Sequence, residues 1–285
     1  MEDPEGPDKL DAILNNPSYR PAVEDVTFLD SDDARGIRLQ LDYLKPDQLL
    51  NAYGVQQTIV VFGSTRIVEP RAAQYKVEKL RDALAASPED HELQRHLFVA
   101  ERILSKSHYY ETAREFSRLV ANAEVKPEDS PLVVMTGGGP GIMEAANRGA
   151  HDTGARTVGL NITLPHEQYP NPYITPDLCF RFHYFALRKM HFVMRAKALV
   201  AFPGGFGTFD ELFETLTLIQ TRKIKPVPVV LVGEAYWRKA FDIDFMVEEG
   251  VIDIEDRDLF WFAETAQDIW EGLLCWYERK GESLI

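Results

Sequence analysis

Residues 198–211 read ALVAFPGGFGTFDE: five apolar residues, then Pro203, Gly204, Gly205, Phe206, Gly207 and Thr208, then helical spacing to about residue 221. A short run that is apolar at every position, closed by a turn, is the pattern of a strand buried on both faces. The same grammar recurs upstream. Residues 131–135 (PLVVM) run into Thr136, Gly137, Gly138, Gly139, Pro140 and Gly141 and then a helical stretch over 142–153, and residues 58–62 (TIVVF) end in Gly63, Ser64, Thr65 and Arg66. Residues 156–162 (RTVGLNI) and 227–232 (VPVVLV) supply two more apolar strands. Apolar strands alternating with helices predict an α/β fold, a Rossmann-like, doubly wound and mostly parallel sheet with helices on both faces.

The rest of the chain fits around that core. Residues 71–122 are charged and helically spaced, with a break at Ser87, Pro88, Glu89 and Asp90 where Ser caps and Pro opens a second helix; this predicts a helical hairpin inserted after the first strand. A Pro-rich polar loop runs through 176, residues 178–182 are a candidate edge strand, 184–196 are helical, and 263–279 form a C-terminal helix with aromatics on one side. Residues 1–50 carry two short apolar patches, at 10–14 and 37–50, among Pro, Asp and Glu, and read as a partly ordered N-terminal extension. The expected organisation is thus an extension over 1–50 and one nucleotide-binding catalytic domain over 51–285.

Composition narrows the function classes. Of 285 residues 45% are hydrophobic and 27% charged, the balance of a globular protein. The net charge of −14 would repel a nucleic acid polymer, whose nonspecific binding is built from Lys and Arg contacts. No apolar run approaches a bilayer's thickness, and the acidic opening MEDPEGPDKLD lacks the basic and apolar regions of a secretory signal, so a cytoplasmic protein without membrane contact is expected. Two cysteines, Cys179 and Cys275, without CxxC or finger-type histidine spacing, and seven histidines without HExxH, predict no metal. His183 and His191 read as ordinary helix-face residues.

Two strand ends that deliver glycine clusters to helix starts, at 137–141 and 204–207, are the strongest functional signal. Such turns leave N–H groups unpaired at the positive end of a helix, which binds anions, and glycine lets a ligand approach the backbone closely. No Gly-Lys-Ser/Thr follows either cluster and neither is a clean GxGxxG, which weakens ATPase and dehydrogenase readings. Tight turns and helix caps are the alternative for either loop alone.

PGGFGTFDE (203–211) resembles the PGGxGTxxE motif of the LOG phosphoribohydrolases, and GGGPGIMEAANRGA (137–150) resembles their other glycine-rich element. Arg188-Lys189-Met190 is similar to the arginine-lysine pair of the preceding helix. The likeness spans about 58–233, leaving out the insertion. GPGIMEAAN is closer to the related bacterial nucleotide 5′-monophosphate nucleosidases than to the GLMG-like run of small LOG enzymes. The resemblance implies hydrolysis of the N-glycosidic bond of a purine nucleoside 5′-monophosphate, AMP-like or N6-modified, with no cofactor, by a homo-oligomer of at least two chains whose sites lie near the interface. A nucleotide-binding sensor without chemistry is the competing reading; a pyridoxal phosphate decarboxylase, suggested by the family's "lysine decarboxylase" label, finds no support in the residues.

Cleaving such a bond develops oxocarbenium character on the ribose, which calls for a carboxylate beside the sugar and donors for the phosphate. By resemblance Glu211 is that carboxylate and Arg188 the second catalytic residue. A capping box formed by Thr208 and Glu211 is the structural alternative for the first, and a surface or intersubunit ion pair for the second. Gly137, Gly138, Gly139, Gly141, Gly204, Gly205, Gly207 and Thr208 are candidate phosphate or nucleotide ligands. Ser64, Arg66 and Asn161 are further candidates, each equally compatible with a turn role. Glu144 suits a helix N-terminus, and Tyr169, Tyr173 and Phe206 could stack on a purine or pack in loops and core.

Overall fold

The computed structural model describes residues 6–124, 130–164 and 169–285; the opening MEDPE and residues 165–168 of the polar loop lie outside them. In chain order the helices before the first strand are α1 (Gly6–Leu14), α2 (Val26–Leu29) and α3 (Arg35–Ala52). Then come β1 (Gln57–Phe62), α4 (Pro70–Ala86), α5 (His91–Leu104), α6 (His108–Ala121), β2 (Leu132–Thr136), α7 (Ile142–Asp152), β3 (Thr157–Ile162), β4 (Cys179–Phe182) and α8 (Phe185–Met194). The chain closes with β5 (Ala196–Ala201), α9 (Phe206–Gln220), β6 (Val229–Val232), α10 (Glu234–Ala240), α11 (Ile243–Glu248), β7 (Trp261–Ala263) and α12 (Ala266–Arg279).

All seven strands pair in parallel, in the order β4-β3-β2-β1-β5-β6-β7. Successive residues of each strand face opposite layers. Ile59 and Val61 of β1, with Val200 of β5 and Val230 of β6, pack against α6, α7 and α12. Val60 and Phe62, with Leu199 and Leu231, pack against α3, α8 and α9. The period of two thus buries both faces, which is why these strands are apolar throughout.

One expectation changes. The segment over 71–122 is not a two-helix hairpin but three helices. Asp90, rather than Ser87, caps α5 by accepting the Glu92 and Leu93 N–H groups at 2.9 Å each, and a second break at Ser105–Ser107 sets off α6. α4 and α5 form an outlying pair that buries only Ala73, Val77 and Ala100, whereas α6 is a core layer that buries Tyr109, Tyr110, Ala113, Phe116 and Val120. The N-terminal segment meets the core near residue 50. Leu50 and Val55 sit in the core beneath the sheet, and α3 is braced to α8 by the Arg195–Asp47 ion pair at 2.6 Å and by Tyr43, whose carbonyl lies 3.1 Å from His191 Nε2. β7 carried no strand signal, being three residues on a sheet edge.

Candidate functional site

The strand order reverses at β1: β2 lies to one side and β5 to the other. Connections leaving the two central strands part in opposite directions there and open a crevice beyond their carboxyl ends. The chain segments that follow β1 and β5 are locked side by side, Phe202 N–H donating to the Phe62 carbonyl at 2.8 Å and Ser64 N–H to the Pro203 carbonyl at 3.0 Å. A cavity of about 630 Å³ occupies this point, large enough for a nucleotide. Ser64, Arg66, Arg188, Gly204, Gly205, Gly207, Thr208 and Glu211 all line it.

The PGG loop meets the crevice as the start of α9. That helix begins at Phe206 with Gly205 as its N-cap and no side-chain cap, so its first N–H groups have no acceptor within the helix, and Gly205 and Gly207 line the cavity. Thr208 lies inside the helix rather than before it, and the capping-box alternative for Glu211 is therefore not what forms. Thr208 packs back on Gly204, where a Cβ would fall 2.1 Å from its Oγ1. Tyr236, itself in the cavity wall, donates its hydroxyl to the Gly204 carbonyl and fixes the loop.

Arg188 and Glu211 come from different helices, α8 and α9, and approach to 3.9 Å with side chains 13% and 8% exposed. That separation is an ion pair without a hydrogen bond. Arg188 is held in place by donating from Nε to the Leu160 carbonyl at 2.7 Å and by lying over the Phe192 ring. Burial pushes the Glu211 carboxyl up to about 7, only partly opposed by Arg188 and Lys189. Burial likewise draws Arg188 below the usual guanidinium value, against the pull of Glu211 and Asp210. Both charges are under-compensated, the condition in which a polar ligand entering between them gains most. Lys189, one position on, turns away to Asp210 at 2.7 Å and Glu214 at 3.1 Å.

The first glycine loop is placed differently from the second. Because β2 is one strand removed from the reversal, Gly137, Gly138, Gly139 and Gly141 stand behind the crevice rather than lining it; their helix contributes Met143 to the wall. The Gly138 N–H already donates to Thr136 Oγ1 at 2.9 Å, and Asn171 binds the Gly138 and Gly139 carbonyls at 2.9 and 3.0 Å. Buried Asn147 joins this network by accepting from Thr136 and Asn171. The loop's service to the site is close approach. A Cβ on Gly137 would meet the Arg188 guanidinium at 2.5 Å, and Gly141, at φ 73° and ψ −128°, lets Ile142 N–H reach the Ser64 carbonyl at 3.1 Å.

Asn161 is buried with its amide against Gly138 and lines a separate 160 Å³ pocket beside Tyr169 and Cys179, so the fold does not bring it into the main crevice. Glu144 accepts from Tyr110 at 2.9 Å. Tyr173 packs on Arg148 and His151, and Phe206 is 96% exposed outside the cavity. The aromatic rings in the crevice wall are those of Phe62, Phe185 and Tyr236; for Phe185, its place one helical turn before Arg188 was the available signal. Tyr236, Ile103 and Lys106 also line the cavity, and none carried a local motif. His191 is buried on α8, whereas His183 precedes that helix. Among the described residues no group of His, Cys, Asp and Glu could hold a metal ion, and no helix is long and apolar enough to cross a membrane.

The fold and crevice define a doubly wound α/β protein in which an uncapped helix start and a buried Arg188–Glu211 ion pair line one cavity. Residues 143–273 match the family model described as "Possible lysine decarboxylase". The chain is 33% identical over 150 residues to the probable cytokinin riboside 5′-monophosphate phosphoribohydrolase LOGL5 of Oryza sativa subsp. japonica, covering 52% of this chain and 58% of that one. It is 30% identical over 169 residues to the cytokinin riboside 5′-monophosphate phosphoribohydrolase LOG3 of Arabidopsis thaliana, covering 53% and 77%. An X-ray structure of the structural-genomics target TM1055 aligns with a TM-score of 0.45 at 19% identity, over 76% of this chain and 98% of its own. The chain belongs to the LOG family. It spans 58% of the length of the first of these relatives and 77% of the second.

Proposed function

We propose that the protein hydrolyses the N-glycosidic bond of a purine nucleoside 5′-monophosphate, AMP-like or N6-modified, releasing the base and ribose 5-phosphate. The observation that carries this reading is the Arg188–Glu211 pair, buried, 3.9 Å apart and facing the mouth of the α9 helix. The names of the relatives point to the same chemistry.

In this reading the 5′-phosphate takes the N–H groups at the start of α9, around Gly205 and Gly207, with Ser64 and Arg66 at its side. The ribose then lies against Glu211. As the C1′–N bond lengthens, the ionised carboxylate stabilises the positive charge on the sugar and accepts a proton from the water whose oxygen bonds to C1′. The departing base takes the bonding electron pair and, in net, the proton that Glu211 took from the water, and Arg188 holds the reacting nucleotide with its fixed donors. The first glycine loop supports Arg188 from behind. The working unit is a homodimer or larger: Phe185, Met190 and Met194 on α8 and Phe206 at the start of α9 expose apolar surface beside the crevice, which supports a second copy there. Free thiols at Cys179 and Cys275 support a cytoplasmic location.

The test is to incubate the purified protein with a panel of nucleoside 5′-monophosphates and the matching nucleosides and to follow base release by chromatography. At least one monophosphate is cleaved and its nucleoside is not. Binding of a monophosphate with no base released from any would leave the sensor reading in its place.

A further inference from the structure

The insertion after β1 is not confined to the periphery. α5 ends at Leu104, α6 starts at His108, and the elbow between them carries Lys106 into the same cavity that Arg66, Gly204 and Glu211 line. We infer that Lys106 is a phosphate-binding residue of the crevice, supplied by the insertion and acting with Arg66 on the 5′-phosphate of the nucleotide. The inference rests on the reading that the crevice holds a phosphate-bearing ligand.

Three observations support it. The elbow is rigid: successive turn bonds run from Lys106, Ser107, Tyr109 and Tyr110 N–H groups to the carbonyls three residues back, at 2.9–3.0 Å. It is also anchored at both strand ends that matter. Tyr109 packs edge-on to Phe202, the residue before the PGG loop, with its hydroxyl against Gly233; Tyr110 donates to Glu144 in the first turn of α7. The elbow's backbone is therefore held where Lys106 joins Arg66, Gly204 and Gly205 in the cavity wall. Finally, among the described residues its charge has no counter-ion. Its ammonium donates to the Arg102 carbonyl at 3.2 Å, and among the described residues neither Lys106 nor Arg66 has a carboxylate partner. In a chain of net charge −14, two cations without a carboxylate partner among the described residues, in the wall of a cavity that Asp210 and Glu211 also line, support an anion site. Partial burial and neighbouring Arg102 lower the ammonium's pKa, a cost that a bound phosphate reverses.

The experiment measures ribose 5-phosphate affinity by calorimetry, and kcat and KM for the best monophosphate, in the intact protein and in Lys106→Ala, Lys106→Gln and Lys106→Arg. Lys79→Ala, on the outer hairpin where Lys79 lies over Tyr75, controls for general charge. Loss of one charge-assisted contact weakens ribose 5-phosphate binding and raises KM on the order of tenfold with kcat within about twofold, and Lys106→Arg restores most of it. Lys79→Ala changes neither. Affinity and KM within about twofold in both neutral variants would overturn the inference while leaving hydrolysis intact, as would failure of the unaltered protein to bind ribose 5-phosphate. Conversely, if no base is ever released yet ribose 5-phosphate binds through Lys106, the hydrolysis reading falls and this one stands.

Discussion

The Glu211 carboxyl, raised to about 7 by burial, gives the site a pH signature that an exposed glutamate could not. If the ionised form does the work, kcat/KM for the free enzyme follows the fraction ionised. At pH 6 that fraction is about one-eleventh of its limit, and at pH 5 about one-hundredth, whereas an ordinary glutamate near 4.5 would lose only about 3% at pH 6. The assay is base release at subsaturating substrate from pH 5 to 8.5, on the unaltered protein and on Glu211→Gln. The substrate's own phosphate titrates near pH 6, so the variant is needed to separate the two. A rising limb with its midpoint near pH 7 in the unaltered protein, and rates at least about a hundredfold lower without that limb in the variant, are expected. An unaltered protein whose kcat/KM is flat between pH 5 and 8, or a Glu211→Gln variant with the same rate and limb, would refute the assignment of Glu211.

The same burial affects stability. A carboxyl whose folded pKa is raised binds more protons folded than unfolded, so its contribution falls as pH rises from about 4.5 to 7 and stays reduced above; 2.5 units correspond to about 3 kcal/mol. Urea unfolding should show that decline in the unaltered protein and a flatter profile in Glu211→Gln; parallel profiles would contradict it. Arg188→Lys loses the Nε bond to Leu160 and the fork that faces Glu211, and its kcat should drop by about a hundredfold or more in the base-release assay with thermal midpoint little changed. Gly141→Ala puts a Cβ 2.4 Å from the Ser64 carbonyl at a positive φ and should destabilise the protein by more than about 2 kcal/mol in denaturant titration, with loss of ribose 5-phosphate binding. Asp42 accepts from the His183 and Tyr184 N–H groups ahead of α8, both at 2.8 Å; Asp42→Ala should cost about 1–2 kcal/mol in the same titration.

The sequence by itself determined the layered fold, because a strand buried on both faces must be apolar at every position, and β1, β2, β3, β5 and β6 are written that way. It also showed the PGG loop at a strand end, and the resemblance carried by residues 203–211 and 188–190 named Arg188 and Glu211 as candidates. The strand order was settled only by the tertiary structure. No local pattern tells that β1 stands between β2 and β5, and this ordering is what sets the second glycine loop in the crevice and the first behind it, with Asn161 turned to another pocket. Nor could spacing reveal that α3 braces α8, that a capping pattern at Thr208 and Glu211 would start one turn too late, or that an elbow about forty residues beyond β1 returns Lys106 to the same cavity. Periodicity records which face a residue buries; which distant residue it meets there is decided by chain packing, in which loop closure and sheet order act over separations that no local window contains.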